Sequence, residues 1–245
     1  MNWKELNRRG LFPGPAETEE EFFKRVERVG PSAQSFPHIE TLFGCAPDWV
    51  PLSYSNRGLA PWQGAAVWIE EGSARIQLKK GFQKGRYLRI YSESEVLSHE
   101  LVHLVRMAFD EPRYEEIFAY LASKSAFRRA FGPLFCRPGE AALFFALSFF
   151  PFLSFFWPTP LFLAFPGIYL LFLLLRLYKS RKRLNRCLEN LASIAPRPLV
   201  LAVRLSDEEV ALFAALSANE LRAYIAGKTS FRWRFLKATL LNLQT

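Results

Sequence analysis

The chain has 245 residues, half of them hydrophobic, and a formal net charge of +9. Its three cysteines, Cys45, Cys136 and Cys187, are an odd number without paired spacing, which excludes a disulfide framework and a cysteine-built zinc site and fits reduced thiols. Residues 1–140 carry 19 Lys+Arg against 18 Asp+Glu and residues 179–245 carry 12 against 5; no recognition motif accompanies that basic tail, so nucleic acid is set aside as a partner.

The first residues, Met1 to Arg9, lack an apolar run and do not read as a signal peptide. Thr18-Glu-Glu-Glu21 has the spacing of a capping box, in which the threonine accepts from the third helical N–H and the glutamate reaches back. It opens an amphipathic helix with Phe22, Phe23, Val26 and Val29 on one side. Residues 31–64, rich in proline, glycine and aromatics including Trp49 and Trp62, read as an ordered but irregular cover. His38 lies there with no metal spacing to the other histidines and reads as a capping or partly buried structural residue. Ala65–Glu71 and Ala74–Lys80 look like two strands joined across Gly72-Ser73; in the second, Ile76 and Leu78 alternate with Arg75, Gln77 and Lys79, so one face is wet. At a sheet edge such a hairpin can pair with an extended peptide, or it can be purely structural. Tyr87–Tyr91 reads as a further strand.

Ser92-Glu-Ser-Glu95 repeats the capping spacing and opens a helix of about four turns, with Val96, Leu97, Leu104, Val105, Ala108 and Phe109 apolar. Pro112 ends it, because proline disfavours α geometry in the residue before it. Within this helix residues 99–103 read His-Glu-Leu-Val-His and take up two of the chain's three histidines. A helix repeats every 3.6 residues, so His99 and His103 project from one face on successive turns and can meet one metal ion. Glu100 lies next to that face, able to hold a metal-bound water and take its proton. A second helix, Arg113 to Phe127, returns roughly antiparallel after the break. Glu111, Glu115 and Glu116 are the carboxylates near enough to supply a third ligand.

The H-E-x-x-H run followed by a glutamate on a neighbouring helix resembles the gluzincin class of zinc metallopeptidases. Several families of that class have a small residue three positions after the glutamate, and Glu116-Ile-Phe-Ala119 has that pattern. The resemblance therefore implies one Zn²⁺ per chain held by His99, His103 and Glu116, with Glu115 the second choice of carboxylate. It implies Glu100 as general base on a peptide substrate, and Tyr120 or else Tyr114 as a stabiliser of the oxyanion. The position after the alanine is often Asp or Asn in those families, where it orients a ligand histidine; here it is Tyr120. The separation from His103 to Glu116, thirteen residues, is also shorter than in many members. The likeness spans roughly residues 65–127.

The 35 residues from Ala141 to Leu175 carry no charge. A straight helix of that length would be about 52 Å long, against about 30 Å of bilayer hydrocarbon. Trp157-Pro-Thr-Pro160 near the middle reads as an interfacial turn between two spans, about 141–157 and 161–177; a re-entrant form dipping into one leaflet is the variant. Arg128, Arg129 and Arg137 precede the stretch and Lys179, Arg181, Lys182, Arg183 and Arg186 follow it, which by the positive-inside rule puts both ends in the cytoplasm. The basic tail then lies against anionic lipid. In that tail Ser206-Asp-Glu-Glu209 opens a helix through about Ser217, and further helices follow.

The expected fold is thus an α+β zincin-like catalytic domain over 1–138, a two-helix transmembrane hairpin over 139–178 and a small, basic helical C-terminal region over 179–245. The expected protein is an integral protein of the inner membrane: a membrane-bound zinc metallopeptidase that meets peptide or protein substrates near the lipid bilayer on its cytoplasmic side. The rival is a non-catalytic membrane adaptor that keeps a zincin-like fold.

Overall fold

The computed structural model describes residues 2–31, 34–60, 63–70, 73–84, 86–87, 91–156 and 161–241. Asn2 caps helix α1 (Trp3–Arg8) by accepting from the N–H groups of Lys4 and Glu5. The Thr18–Glu21 capping box forms as expected, and α2 (Glu19–Glu27) buries Phe22 and Val26. The segment expected to be irregular holds both a helix and a strand. Pro37 starts α3 (Pro37–Phe43), which stops on Gly44 in the left-handed region at φ 64°. Strand β1 (Leu52–Tyr54) follows; Trp62 lies outside the described residues.

Strands β2 (Ala65–Glu70) and β3 (Ser73–Leu78) form the expected antiparallel pair, with Val67 opposite Ile76, while Gly72 at their turn is outside the described residues. β1 adds to the far side of β3 in parallel, so the sheet order is β1-β3-β2 and β2 is an edge. The wet face expected of β3 is only partly wet: Gln77 is buried and donates to the carbonyls of Ser55 and Arg57. The single strand expected at Tyr87–Tyr91 is instead a small ladder, β4 (Arg86–Tyr87) against β5 (Tyr91–Ser92), with residues 88–90 outside the described set.

Helix α4 (Glu93–Val105) is capped by the Ser92 hydroxyl, which accepts from the Glu95 N–H. Glu95 does not complete the box; its carboxylate accepts from Arg128 Nη1 at 2.6 Å and from the Ser123 hydroxyl. Asp110 turns the chain with φ 50°, and Pro112 begins the antiparallel α5 (Pro112–Leu121). This helix ends before Phe127, because Ser125 caps a new one, α6 (Ala126–Phe131).

The apolar stretch does not make the expected transmembrane hairpin. Among the described residues no helix is long and apolar enough to cross a membrane. Helix α7 (Pro138–Leu147) has ten residues and so a length of about 15 Å, half of what a span needs. A four-residue α8 (Phe150–Leu153) follows it, and the expected Trp157–Pro160 turn lies outside the described residues. Helix α9 (Leu161–Leu191) is long, but its uncharged part before Arg176 measures only about 22 Å. Beyond that point it is a core helix, burying Leu177, Leu184, Cys187 and Leu191 at helical spacing. The integral-membrane localisation falls with the hairpin, and so does the argument that placed both termini in the cytoplasm. Phe145, Phe149, Phe155 and Phe156 of the apolar stretch remain exposed.

Helices α10 (Pro198–Ala202), α11 (Asp207–Phe213), α12 (Ala218–Gly227) and α13 (Phe231–Leu240) complete the chain, with the Ser206–Glu209 capping box in place. α10 and α11 pack on α9, and α13 packs on α1. One continuous apolar core runs from Leu6 to Leu241. The fully buried Arg204 stitches its two ends together, donating to Asn7 Oδ1 at 2.7 Å and to the Phe43 carbonyl at 2.9 Å. The fold is therefore mostly helical, with a three-stranded sheet and a separate two-stranded ladder among the described residues, in place of the expected α+β zincin-like domain with a membrane hairpin.

Gly14 shows how closely the N-terminal segment packs on the end of α4. A Cβ there would lie 2.1 Å from the Ala108 carbonyl oxygen, which is backbone and cannot rotate away. Gly14→Ala is expected to lower stability by at least about 1–3 kcal/mol. Denaturant unfolding measures it, and a midpoint equal to wild type would refute the contact.

Candidate metal centre

Helix α4 buries Leu101, Val102, Leu104 and Val105, which leaves His99, Glu100 and His103 half-buried on the opposite side. Helix α5 buries Tyr114, Ile117, Phe118 and Ala119, and its return brings Glu115 and Glu116 to that same side. His99 Nε2 and His103 Nε2 are 3.2 Å apart. Glu116 Oε1 is 3.4 Å from His103 Nε2, and Glu116 Oε2 is 3.7 Å from His99 Nε2. Zinc binds nitrogen and oxygen ligands at about 2.0–2.1 Å in a tetrahedron, whose corners are then about 3.3 Å apart. The two nitrogens thus stand at the spacing of two tetrahedron corners, Glu116 meets each of them with a different oxygen, and one ligand atom from each residue lies within 4.8 Å of the others. Among the described residues they are the one cluster of histidine, cysteine and carboxylate groups close enough to hold a metal.

The other carboxylates have different partners. Glu115 Oε1 lies 2.6 Å from His103 Nδ1. With the proton on Nδ1, that hydrogen bond leaves the Nε2 lone pair aimed at the metal position. Glu111 turns away and accepts from the Asp207 N–H at 2.6 Å. His38 takes no part: its Nε2 is 3.0 Å from the Ala122 carbonyl, joining α3 to the end of α5.

The crowding of charge shifts the titrations. Burial, with the His103 charge beside it, pushes His99 down to about 3. Burial also pulls on His103, but the Glu115 hydrogen bond and the charges of Glu116, Glu115 and Glu100 outweigh it and raise His103 to about 9. Burial raises Glu116 to about 7 and also lifts Glu100 above its ordinary value.

Two cavities flank the triad. A smaller one of about 220 Å³ is lined by His99, Glu100, Tyr120, Tyr87 and Tyr91, and a larger one of about 600 Å³ by Glu100, His103, Val67 and Ile69. Glu100 lines both. The Tyr120 ring sits edge-on to His99 with centroids 4.6 Å apart, and burial pushes its hydroxyl up to about 12. Gly132 makes room for that ring, since a Cβ there would come within 2.3 Å of it. Tyr114 is fully buried and lines neither cavity.

Two features escaped the sequence reading. The Glu95–Ser123–Arg128 group walls the smaller cavity. Arg106 is fully buried behind Glu115, with Nε 4.0 Å from Glu115 Oε2. A signal for Arg106 was present: it stands four residues after Val102 and three before Phe109, on the buried stripe.

No family model, curated protein or solved structure matches the chain. The likeness to gluzincins therefore rests on the residues themselves.

Metal binding at this centre requires His103 to lose its proton below about pH 9 and Glu116 to lose its proton below about pH 7. Zinc affinity is therefore expected to rise about tenfold per pH unit between those two values and more steeply beneath the lower one. Competition against a chromophoric chelator reads this directly. An affinity independent of pH over the range would contradict the ligand assignment.

Proposed function

We propose that the chain is a zinc-dependent metallopeptidase, with Zn²⁺ held by His99, His103 and Glu116 and Glu100 as the general base. The approach of the three groups carries this reading: the two Nε2 atoms are 3.2 Å apart, close to the edge of a zinc tetrahedron, and one oxygen of Glu116 completes a set of three ligand atoms all within 4.8 Å of one another. Zinc held there supplies Lewis acidity, which brings the deprotonation of water within reach of neutral pH. Glu100, bordering both cavities, takes the proton of the attacking water and returns it to the leaving amine. Its raised pKa suits a group that must both accept and donate. Tyr120, protonated up to about pH 12, is the donor for the carbonyl oxygen as charge develops on it.

A peptide substrate fits the strand beside the centre. β2 is a sheet edge; Ala65 lines the smaller cavity, while Val67 and Ile69 line the larger one. Alternate residues of one strand thus run past the triad, and an extended chain can pair with such an edge.

Glu100→Gln is expected to keep about one zinc per chain and to lose about 10²–10⁴ in the rate of cleaving a mixed-sequence peptide library. Metal analysis and a peptide-cleavage assay on the same preparation decide it. Loss of zinc with undiminished activity per bound zinc would make Glu100 a ligand and not the base, and wild-type protein that takes up no zinc would end the proposal.

A further inference from the structure

We infer that Arg106 is a positioning residue for the metal centre: acting through Glu115, it fixes the orientation of His103 and ties that orientation to the Val203–Leu205 segment. The inference rests on reading the centre as metal-binding.

Arg106 has no exposed surface. Its Nη1 donates to the carbonyls of Val203 at 2.8 Å and Leu205 at 3.0 Å. Its guanidinium carbon sits 4.4 Å from the centroid of Phe109 and 5.3 Å from that of Phe118. Three carboxylates surround it without hydrogen-bonding to it: Glu115 at 4.0 Å, Glu111 at 3.7 Å and Asp207 at 3.7 Å. Taking a guanidinium out of water is costly, and an apolar side chain would fill the space between two phenylalanines at lower cost. Its hydrogen bonds to the two carbonyls use Nη1 alone, and Nε, which makes no hydrogen bond, still needs an electrostatic partner.

Glu115 provides it. One carboxylate oxygen meets His103 Nδ1 and the other faces Arg106. A carboxylate behind a metal-binding histidine fixes its tautomer and the rotation of its ring. It does so best when it is itself positioned, and 4.0 Å behind Glu115 stands a buried cation that attracts it without a hydrogen bond and whose own place is set by two backbone carbonyls. The place of the Val203–Leu205 backbone is in this way transmitted, over a sequence separation of 97 residues at the first step, to the Nε2 atom of His103.

Zinc affinity, measured by chelator competition beside the thermal midpoint of the metal-free protein, tests the inference. Glu115→Gln is expected to weaken zinc about 10–100-fold and also to lower the metal-free midpoint, because the His103–Glu115 pair is lost. Arg106→Lys keeps the charge but not the planar fork, and is expected to weaken zinc about tenfold. Arg106→Met, which suits the phenylalanine pocket, should weaken it at least as much and covers the case in which the lysine variant does not fold. Either change combined with Glu115→Gln should bind zinc no more weakly than Glu115→Gln alone, because the arginine acts through the carboxylate. Unchanged zinc affinity in the folded Arg106 variants, or full additivity with Glu115→Gln, would overturn the inference while leaving the metal centre standing. Wild-type protein that binds no zinc would remove both.

Discussion

Helices α4 and α5 press their polar sides together inside an otherwise apolar core, and the centre exists because of that contact. Two imidazoles and two carboxylates meet there, half-buried and within hydrogen-bonding and ion-pair distance of one another. Groups so placed are unfavourable unless they are paired or bound to a cation. Without metal, the proton that His103 retains up to about pH 9 provides the pairing. A divalent cation at the same point would satisfy both nitrogens and the Glu116 oxygen together. The tight turn at Asp110 sets the register, so that His103 faces Glu115 and Glu116 and not the solvent.

This register also explains why the sequence could point to the histidines with more force than to the third candidate ligand. His99 and His103 are related by the helical repeat alone, a local property. Glu115 and Glu116 are neighbours pointing about 100° apart, and choosing between them requires the rotation of α5 against α4. The two carboxylates end on opposite nitrogens of one ring, with Glu115 at Nδ1 and Glu116 at Nε2 of His103. The capping boxes at Thr18 and Ser206 were legible for the same reason as the histidine pair, since each is complete within four residues. The box at Ser92 was only half legible, because Arg128 and Ser123, far along the chain, claim the Glu95 carboxylate.

Composition misled most between Ala141 and Leu175. A run without charge tells of hydrophobicity but not of where a helix stops, and here α7 stops after Leu147. Nor does it tell that α9 carries on past Arg176 as a stripe of buried Leu177, Leu184, Cys187 and Leu191. Arg176 itself is neutralised locally, donating from Nη2 to Glu140 at 2.8 Å, an ion pair between residues on two different helices. The parallel pairing of β1 with β3 was out of reach for a related reason: nothing in three residues specifies a partner more than twenty positions away.

The C-terminal end of α10 shows how a mostly helical chain tolerates buried arginines. Just past a helix end the backbone leaves the helical ladder, and its carbonyls need other partners. Here Arg106 donates to the carbonyls of Val203 and Leu205, and Arg232 donates to the carbonyl of Arg204 at 2.5 Å. Three consecutive carbonyls are thus met by guanidinium groups from α13 and from the end of α4. Arg232 is in turn balanced by Glu209, 2.6 Å away, whose carboxylate also caps α11. Each cation supplies donors to these carbonyls, which offsets part of the cost of its burial, while Arg106 Nε and Nη2 and Arg232 Nε make no hydrogen bond. These carbonyls lie behind the candidate metal centre, and meeting them brings the Arg106 guanidinium to 4.0 Å from Glu115. The same hydrogen bonds that anchor the turn after α10 therefore set the place of the cation behind Glu115 and His103.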